Sequence, residues 1–185
     1  MKALNQQLIR LSATDLSNHS ACQHVTTLDL QVARDARTAP QWAAPDLVII
    51  QERGKRHESA YLGHLAEEKK LTVVNLEDIK DESKLLQETQ RHMAEGAQAI
   101  AQGALANANW FGRPDVLLRV PRHSSQWKWS YEVLDTKLAR ETKAATVLQL
   151  SLYSQLLERA QGCAPEKMWV SLSIARWSVV ITEDW

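Results

Sequence analysis

Two short segments constrain this chain more than any other part of it. They are Gly112-Arg113-Pro114-Asp115-Val116-Leu117-Leu118-Arg119-Val120 and Tyr131-Glu132-Val133-Leu134-Asp135-Thr136-Lys137. Each sets an acidic residue at the edge of an otherwise apolar, β-like run. Side chains two apart in a strand share a face, so Asp135 and Lys137 project together, with Tyr131 and Val133 behind them. If the two runs pair as neighbouring strands, Asp115 joins the group. Two carboxylates bracketing a point, with an ammonium beside them, suit a hard divalent cation and a water nucleophile.

The rest of the chain supplies a frame for those segments. With 185 residues, 44% hydrophobic and 24% charged, it is long enough for one globular domain with a substantial core. No run of eighteen apolar residues exists, so no membrane span is expected. The first residues, Met1-Lys2-Ala3-Leu4-Asn5-Gln6-Gln7, lack an apolar signal core, which points to a cytoplasmic location. Cys22 and Cys163 lie far apart without metal-ligand spacing and are expected to be reduced, half-buried thiols.

Periodicity and turn residues divide the chain further. Ser12 to about Arg34 reads as a helix, with Ser12 as N-cap and Asp15 closing a capping box. Asp35 to Ala44 reads as a loop. Pro45 suits a first helical position, and a helix runs from there towards Lys69, with Gly54 as a point where it bends or splits. Leu71–Leu76 is a short strand, and Glu82 to about Ala101 a further helix. Strands follow at about Ala104–Trp110, Val116–Val120 and Trp129–Lys137, with Pro121–Gln126 as a hairpin tip. Ala144–Gln161 is a helix ended by Gly162, and Met168–Ile174 and Trp177–Thr182 complete the sheet. The pattern as a whole implies an α/β fold with a central mixed sheet flanked by helices.

Net charge is zero, which is unusual for a chain that binds nucleic acid through phosphate neutralisation. Locally the balance differs. From Gly112 to Lys143 there are seven Lys/Arg against four acids, and two of those acids are the proposed cation ligands. Arg113, Arg140 and Lys143 bracket the acidic centre and are candidates for phosphate contacts; a solvated charged face is the plainer alternative. The chain has seven tryptophans. Trp127 and Trp129 stand near the hairpin tip, where packing against a neighbouring strand is the expected role rather than base stacking. No Gly-rich phosphate cradle or P-loop is present, which disfavours a nucleotide-driven or small-molecule hydrolase.

Pro114-Asp115, a spacer, then Asp135-x-Lys137 resembles the PD-(D/E)xK nuclease superfamily. Two further motifs narrow the likeness to its RecB-like branch, often fused to helicase domains. They are Gly54-Lys55-Arg56-His57-Glu58 upstream on a helix, and Gln149-Leu150-Ser151-Leu152-Tyr153 downstream, similar to that branch's Gln-x-x-x-Tyr. Ser12-Ala13-Thr14-Asp15-Leu16 resembles the opening segment of one such family. The resemblance covers nearly the whole chain.

It implies a restriction-endonuclease-like core (about 71–182) preceded by extra N-terminal helices (about 1–70). It implies a Mg²⁺- or Mn²⁺-dependent nuclease, acting on single-stranded DNA or duplex ends, with a helicase as a partner. By this resemblance Asp115 and Asp135 hold the metal with His57 as third ligand, and Lys137 orients or deprotonates the attacking water. Gln149 and Tyr153 lie beside the active centre, and Glu58 is a supporting or structural residue. His64 and His92 fit only surface or capping roles. Some relatives carry an iron–sulfur cluster, but the trio of C-terminal cysteines is missing here, so none is expected. The alternative reading is a nucleic-acid-binding or helicase-docking module without catalysis. The final residues, Glu183-Asp184-Trp185, fit either a naturally short form or a piece of a longer chain.

Overall fold

The structure, a computed structural model, describes residues 1–4, 8–40, 45–139, 141–173 and 176–181; for residues 45, 46, 173 and 176–181 it describes the main chain only. Two short strands, β1 (Lys2–Ala3) and β2 (Ile9–Arg10), precede three helices: α1 (Ala13–Ala21), α2 (Gln23–Ala33) and α3 (Pro45–Glu67). Then come β3 (Val73–Asn75), α4 (Glu82–Ala94), β4 (Ala99–Ala101), β5 (Leu105–Asn107), β6 (Trp110–Gly112), β7 (Val116–Val120) and β8 (Ser130–Thr136). The order closes with α5 (Ala144–Gln161), β9 (Lys167–Ser173) and β10 (Arg176–Ile181).

A six-stranded mixed sheet runs in the order β10-β9-β8-β7-β4-β3. The α/β expectation of a mixed sheet flanked by helices therefore holds. β7 and β8 are antiparallel neighbours with Val116 opposite Leu134, which brings Asp115 and Asp135 to the same edge of the hairpin. β8 is parallel to β9, and α5 makes the crossover between them. Such a connection requires a helix-sized segment, and the Ala144–Gln161 stretch supplies it.

Strict alternation along the strands sorts side chains to two cores. Leu117, Tyr131, Val133, Met168 and Val170 pack with Leu150, Tyr153, Leu156 and Leu157 of α5 and Leu85 and Met93 of α4. On the opposite face Val116 and Leu134 meet Tyr61 and Leu65 of α3. The sheet is thus a middle layer between α3 and α5. β8 is central, and Ser130 through Asp135 are all buried.

Several boundaries differ from the sequence expectation. The first helix is two, broken at Cys22, whose backbone is extended (φ −160°, ψ 108°). Ser17, Asn18, His19 and Ser20 before the break are poor helix formers. Cys22 is exposed rather than half-buried, and Cys163 is intermediate. Helix α4 stops at Ala94 rather than near Ala101 because Gly96 takes a left-handed turn (φ +75°), freeing Ala99–Ala101 to form a wholly buried strand. The strand expected over Ala104–Trp110 is a hairpin, β5 paired with β6, turning at Ala108 (φ +49°).

Gly54 does not split α3, which runs unbroken from Pro45 to Glu67. The capping box at Ser12 is present: the Asp15 carboxylate accepts from the Ser12 N–H at 2.7 Å and its hydroxyl at 2.8 Å. The expected loop end at 41–44 and the strand end at residue 182 lie outside the described residues. Among the described residues, no helix is long and apolar enough to cross a membrane.

Candidate functional site

Asp135 sits near the end of β8, whose residues Ser130–Asp135 are all buried, and is itself 0% exposed. Its Oδ1 accepts a hydrogen bond from Gln149 Nε2 at 3.0 Å. Its Oδ2 stands 2.6 Å from Lys137 Nζ. That contact is an ion pair whose geometry is not that of a directed hydrogen bond, so Oδ2 is a buried oxygen without one. Burial raises the Asp135 pKa to about 7, and the nearby Asp115 charge pushes in the same direction, while Lys137 opposes it. Two carboxylates this close, one of them buried, favour a shared positive charge between them.

Asp115 lies just before β7, after the buried Pro114. Its Oδ2 accepts from the Thr136 main-chain N–H at 2.7 Å and from the Thr136 hydroxyl at 2.9 Å. The strand-end residue between Asp135 and Lys137 therefore locks Asp115 in place from across the hairpin. Nothing in an Asp-x-Lys pattern marks the middle residue as a ligand holder; only the pairing register does.

Helix α5 adds the next layer. Gln149 and Tyr153, four apart, share a face, and Gln149 Nε2 also reaches the Tyr153 hydroxyl at 3.3 Å. Burial, followed by the Asp135 charge, pushes the Tyr153 pKa up to about 12, so the phenol is neutral at physiological pH. A Cβ built on Gly112 would meet the Tyr153 ring at 2.6 Å. The glycine before Arg113-Pro114-Asp115 is thus what lets α5 approach the start of β7.

The upstream helix sends two neighbouring side chains towards this edge of the sheet, and the Ser171 carbonyl that one of them faces also accepts from the Lys137 main-chain N–H at 2.9 Å. His57 Nε2 faces the Ser171 carbonyl of β9 at 3.5 Å, a long contact. Glu58 reaches the aspartates through an amide: Gln102 Nε2 bridges Glu58 Oε1 and, at 3.4 Å, Asp115 Oδ1. Burial first, then the Asp115 charge, raises the Glu58 pKa. Gln102 was missed in the sequence because it sits in a turn whose conformation no periodicity predicts.

The basic candidates separate. Arg113 is tied to main-chain carbonyls, with Nε to Gln102 at 3.1 Å and Nη2 to Glu77 at 3.2 Å. Lys143 is exposed at the N-cap of α5. Arg140 lies outside the described residues. Trp129 donates to the Met93 carbonyl at 2.9 Å and packs with Trp127 against the core, as a structural role requires.

No protein-family model, curated protein or solved structure matches the chain.

Among the described residues, no three His, Cys, Asp or Glu side chains form a ready metal cage. Mg²⁺ seldom needs one, since it is commonly held by one or two carboxylates, waters and substrate phosphate. The donor set here, Asp115 and Asp135 with a buried Oδ2 that has no directed hydrogen bond, fits such a hard cation. It does not fit a soft metal, because both cysteines lie elsewhere and are free thiols.

Proposed function

We propose that this chain is a Mg²⁺- or Mn²⁺-dependent nuclease with a restriction-endonuclease-like core of the RecB-like type, hydrolysing DNA phosphodiester bonds in repair, recombination or mobile-element processing. The observation that carries the reading is the buried Asp135 carboxylate, flanked by Asp115 and paired with Lys137 at 2.6 Å. A buried acid cluster with a lysine at its mouth raises the energy of the cation-free chain, and such perturbed groups concentrate at functional sites.

Asp115 and Asp135 would hold the cation. When bound, it supplies Lewis acidity and a water of lowered pKa. The chain's own groups do the rest. Thr136 fixes Asp115, and Gln149 orients the Asp135 carboxylate from the α5 side. Lys137, one-third exposed, reaches from Asp135 towards solvent, where its ammonium can offset charge building on the phosphate oxygens during in-line attack. The water oxygen forms the new P–O bond, the P–O3′ bond breaks, and the products carry a 5′-phosphate and a 3′-hydroxyl. Lys143, exposed at the start of α5, would meet the phosphate backbone. The cytoplasmic location and the helicase partner belong to the same proposal.

Lys137→Ala tests the assignment. The variant should fold as wild type, because the side chain is partly exposed, and lose metal-dependent DNA cleavage by at least a hundredfold. A variant that cuts as fast as wild type would remove Lys137 from the centre and show the assignment of the active centre to be wrong. A catalytically silent binding module would instead retard DNA on a gel, with no cutting in either protein.

A further inference from the structure

Helix α3 carries four consecutive aliphatic residues near its start, Leu47, Val48, Ile49 and Ile50, and all four are exposed. Apolar residues scattered over a surface need no explanation, but a contiguous run of them does. Register along the helix sorts the four. Leu47, Ile50 and Gly54 fall on the same stripe as Tyr61, which is buried with Val116 and Leu134 of the sheet. That stripe is covered in the second half of α3 and open in the first.

In the open half, Ile50 and Arg53 line a groove of about 500 Å³ whose other wall is Leu138, Ala139 and Leu172. Its place says more than its size. Leu138 directly follows Lys137, and Leu172 directly follows Ser171, whose carbonyl accepts from the Lys137 N–H at 2.9 Å. His57, about two turns after Ile50, faces that same carbonyl from α3. One junction of main chain thus fixes both the lysine of the site and the far wall of the groove. Whatever fills the groove lies beside the phosphate that Lys137 would meet.

The lining narrows the occupant. Ile50, Leu138 and Leu172 suit the apolar face of a ring, and the exposed Arg53 suits a phosphate next to it. Seats for small ligands span roughly 300–1,000 Å³, so one nucleoside fits. In closed duplex the bases stay paired and stacked, and a base reaches a protein pocket only once it has left the stack.

Resting on the nuclease reading above, we propose that this groove seats an unpaired base next to the scissile phosphate. Ile50, Leu138 and Leu172 lie against the base and Arg53 meets the adjoining phosphate. The centre therefore takes single-stranded DNA or a frayed end in preference to closed duplex, and the overhanging start of α3 sets that preference.

Anisotropy of a short labelled single strand, titrated with the full chain in EDTA, tests the seat without any cutting. Wild type should bind this strand more tightly than blunt duplex, and a strand of abasic sites about tenfold more weakly than the intact one. Ile50→Asn and Leu138→Asn, both at exposed positions where substitution costs little stability, should each lose about tenfold on the intact strand. On the abasic strand they should lose nothing further, because groove and base act as one unit. Val48→Asn, on the other side of α3, should stay within twofold of wild type. Equal losses on intact and abasic strands, or no loss on either, would overturn this inference and leave the nuclease reading standing. A wild-type dimer that Ile50→Asn splits, with strand affinity unchanged, would give the groove to a second copy and likewise overturn it. A wild-type chain that neither binds nor cuts DNA would overturn both.

Discussion

At Asp135 the chain keeps an acid where hydrocarbon would pack, and its protonation ties the site to pH. In the folded chain burial and Asp115 raise its pKa to about 7, against roughly 4 in the unfolded chain. The folded state therefore binds this proton more tightly than the unfolded state does. Its contribution to stability is complete below about pH 4 and is lost as pH rises through about 7. Asp135→Asn, which keeps an oxygen for Gln149, should match wild type near pH 5 and melt higher than it at pH 8 in EDTA. Parallel melting profiles for the two proteins from pH 5 to 8 would show that Asp135 is not held under strain.

Gly112 makes a second residue-scale prediction. An added Cβ would lie 2.6 Å from the Tyr153 ring, so Gly112→Ala should cost about 1–3 kcal/mol in chemical denaturation. Pairing it with Tyr153→Leu should recover part of that loss, and a strictly additive double variant would argue against direct contact. At this scale the sequence was readable where a period of two decides, as for Asp135 and Lys137. It was not readable where a turn aims the side chain. Gln102 and Thr136 carry no pattern of their own, and the carbonyl partners of Arg113 come from parts of the chain distant in sequence.

Among elements, β8 and α5 position most of the site, and their union depends on Gln161. This side chain is fully buried. It accepts from the Tyr131 N–H at 2.7 Å and donates to the Tyr131 carbonyl at 3.2 Å, taking the place of a neighbouring strand. Gln161→Leu leaves both main-chain groups unpaired in the core, at about 1–3 kcal/mol for each. The expected result is a lower denaturation midpoint, and an unchanged midpoint would mean that water replaces the amide. α5 was legible to the residue because apolar spacing and Gly162 (φ +75°) mark it clearly. The end of α4 was not, since its Gln- and Glu-rich pattern runs on past the left-handed Gly96 into sequence that the sheet then claims as β4.

Across the whole molecule, the site lies where the β7–β8 hairpin ends, between the helix layer that carries Glu58 and the one that carries Gln149. Placing Asp115 and Asp135 of the hairpin at one sheet edge explains how a chain of zero net charge can still present a local cation site. The middle layer was legible because hydrophobic alternation and the two acidic run edges specify it. The relation of α3 to the aspartates was not, because it depends on packing of Tyr61 and Leu65 against the far face of the sheet. The measurement that bears most directly on the account is cleavage of end-labelled single-stranded and duplex DNA by the wild-type chain in Mn²⁺, Mg²⁺ or EDTA, with the product ends mapped. The account predicts cutting in either metal, none in EDTA, and 5′-phosphate ends. Intact DNA in all three conditions, from a chain that melts cooperatively, would contradict it.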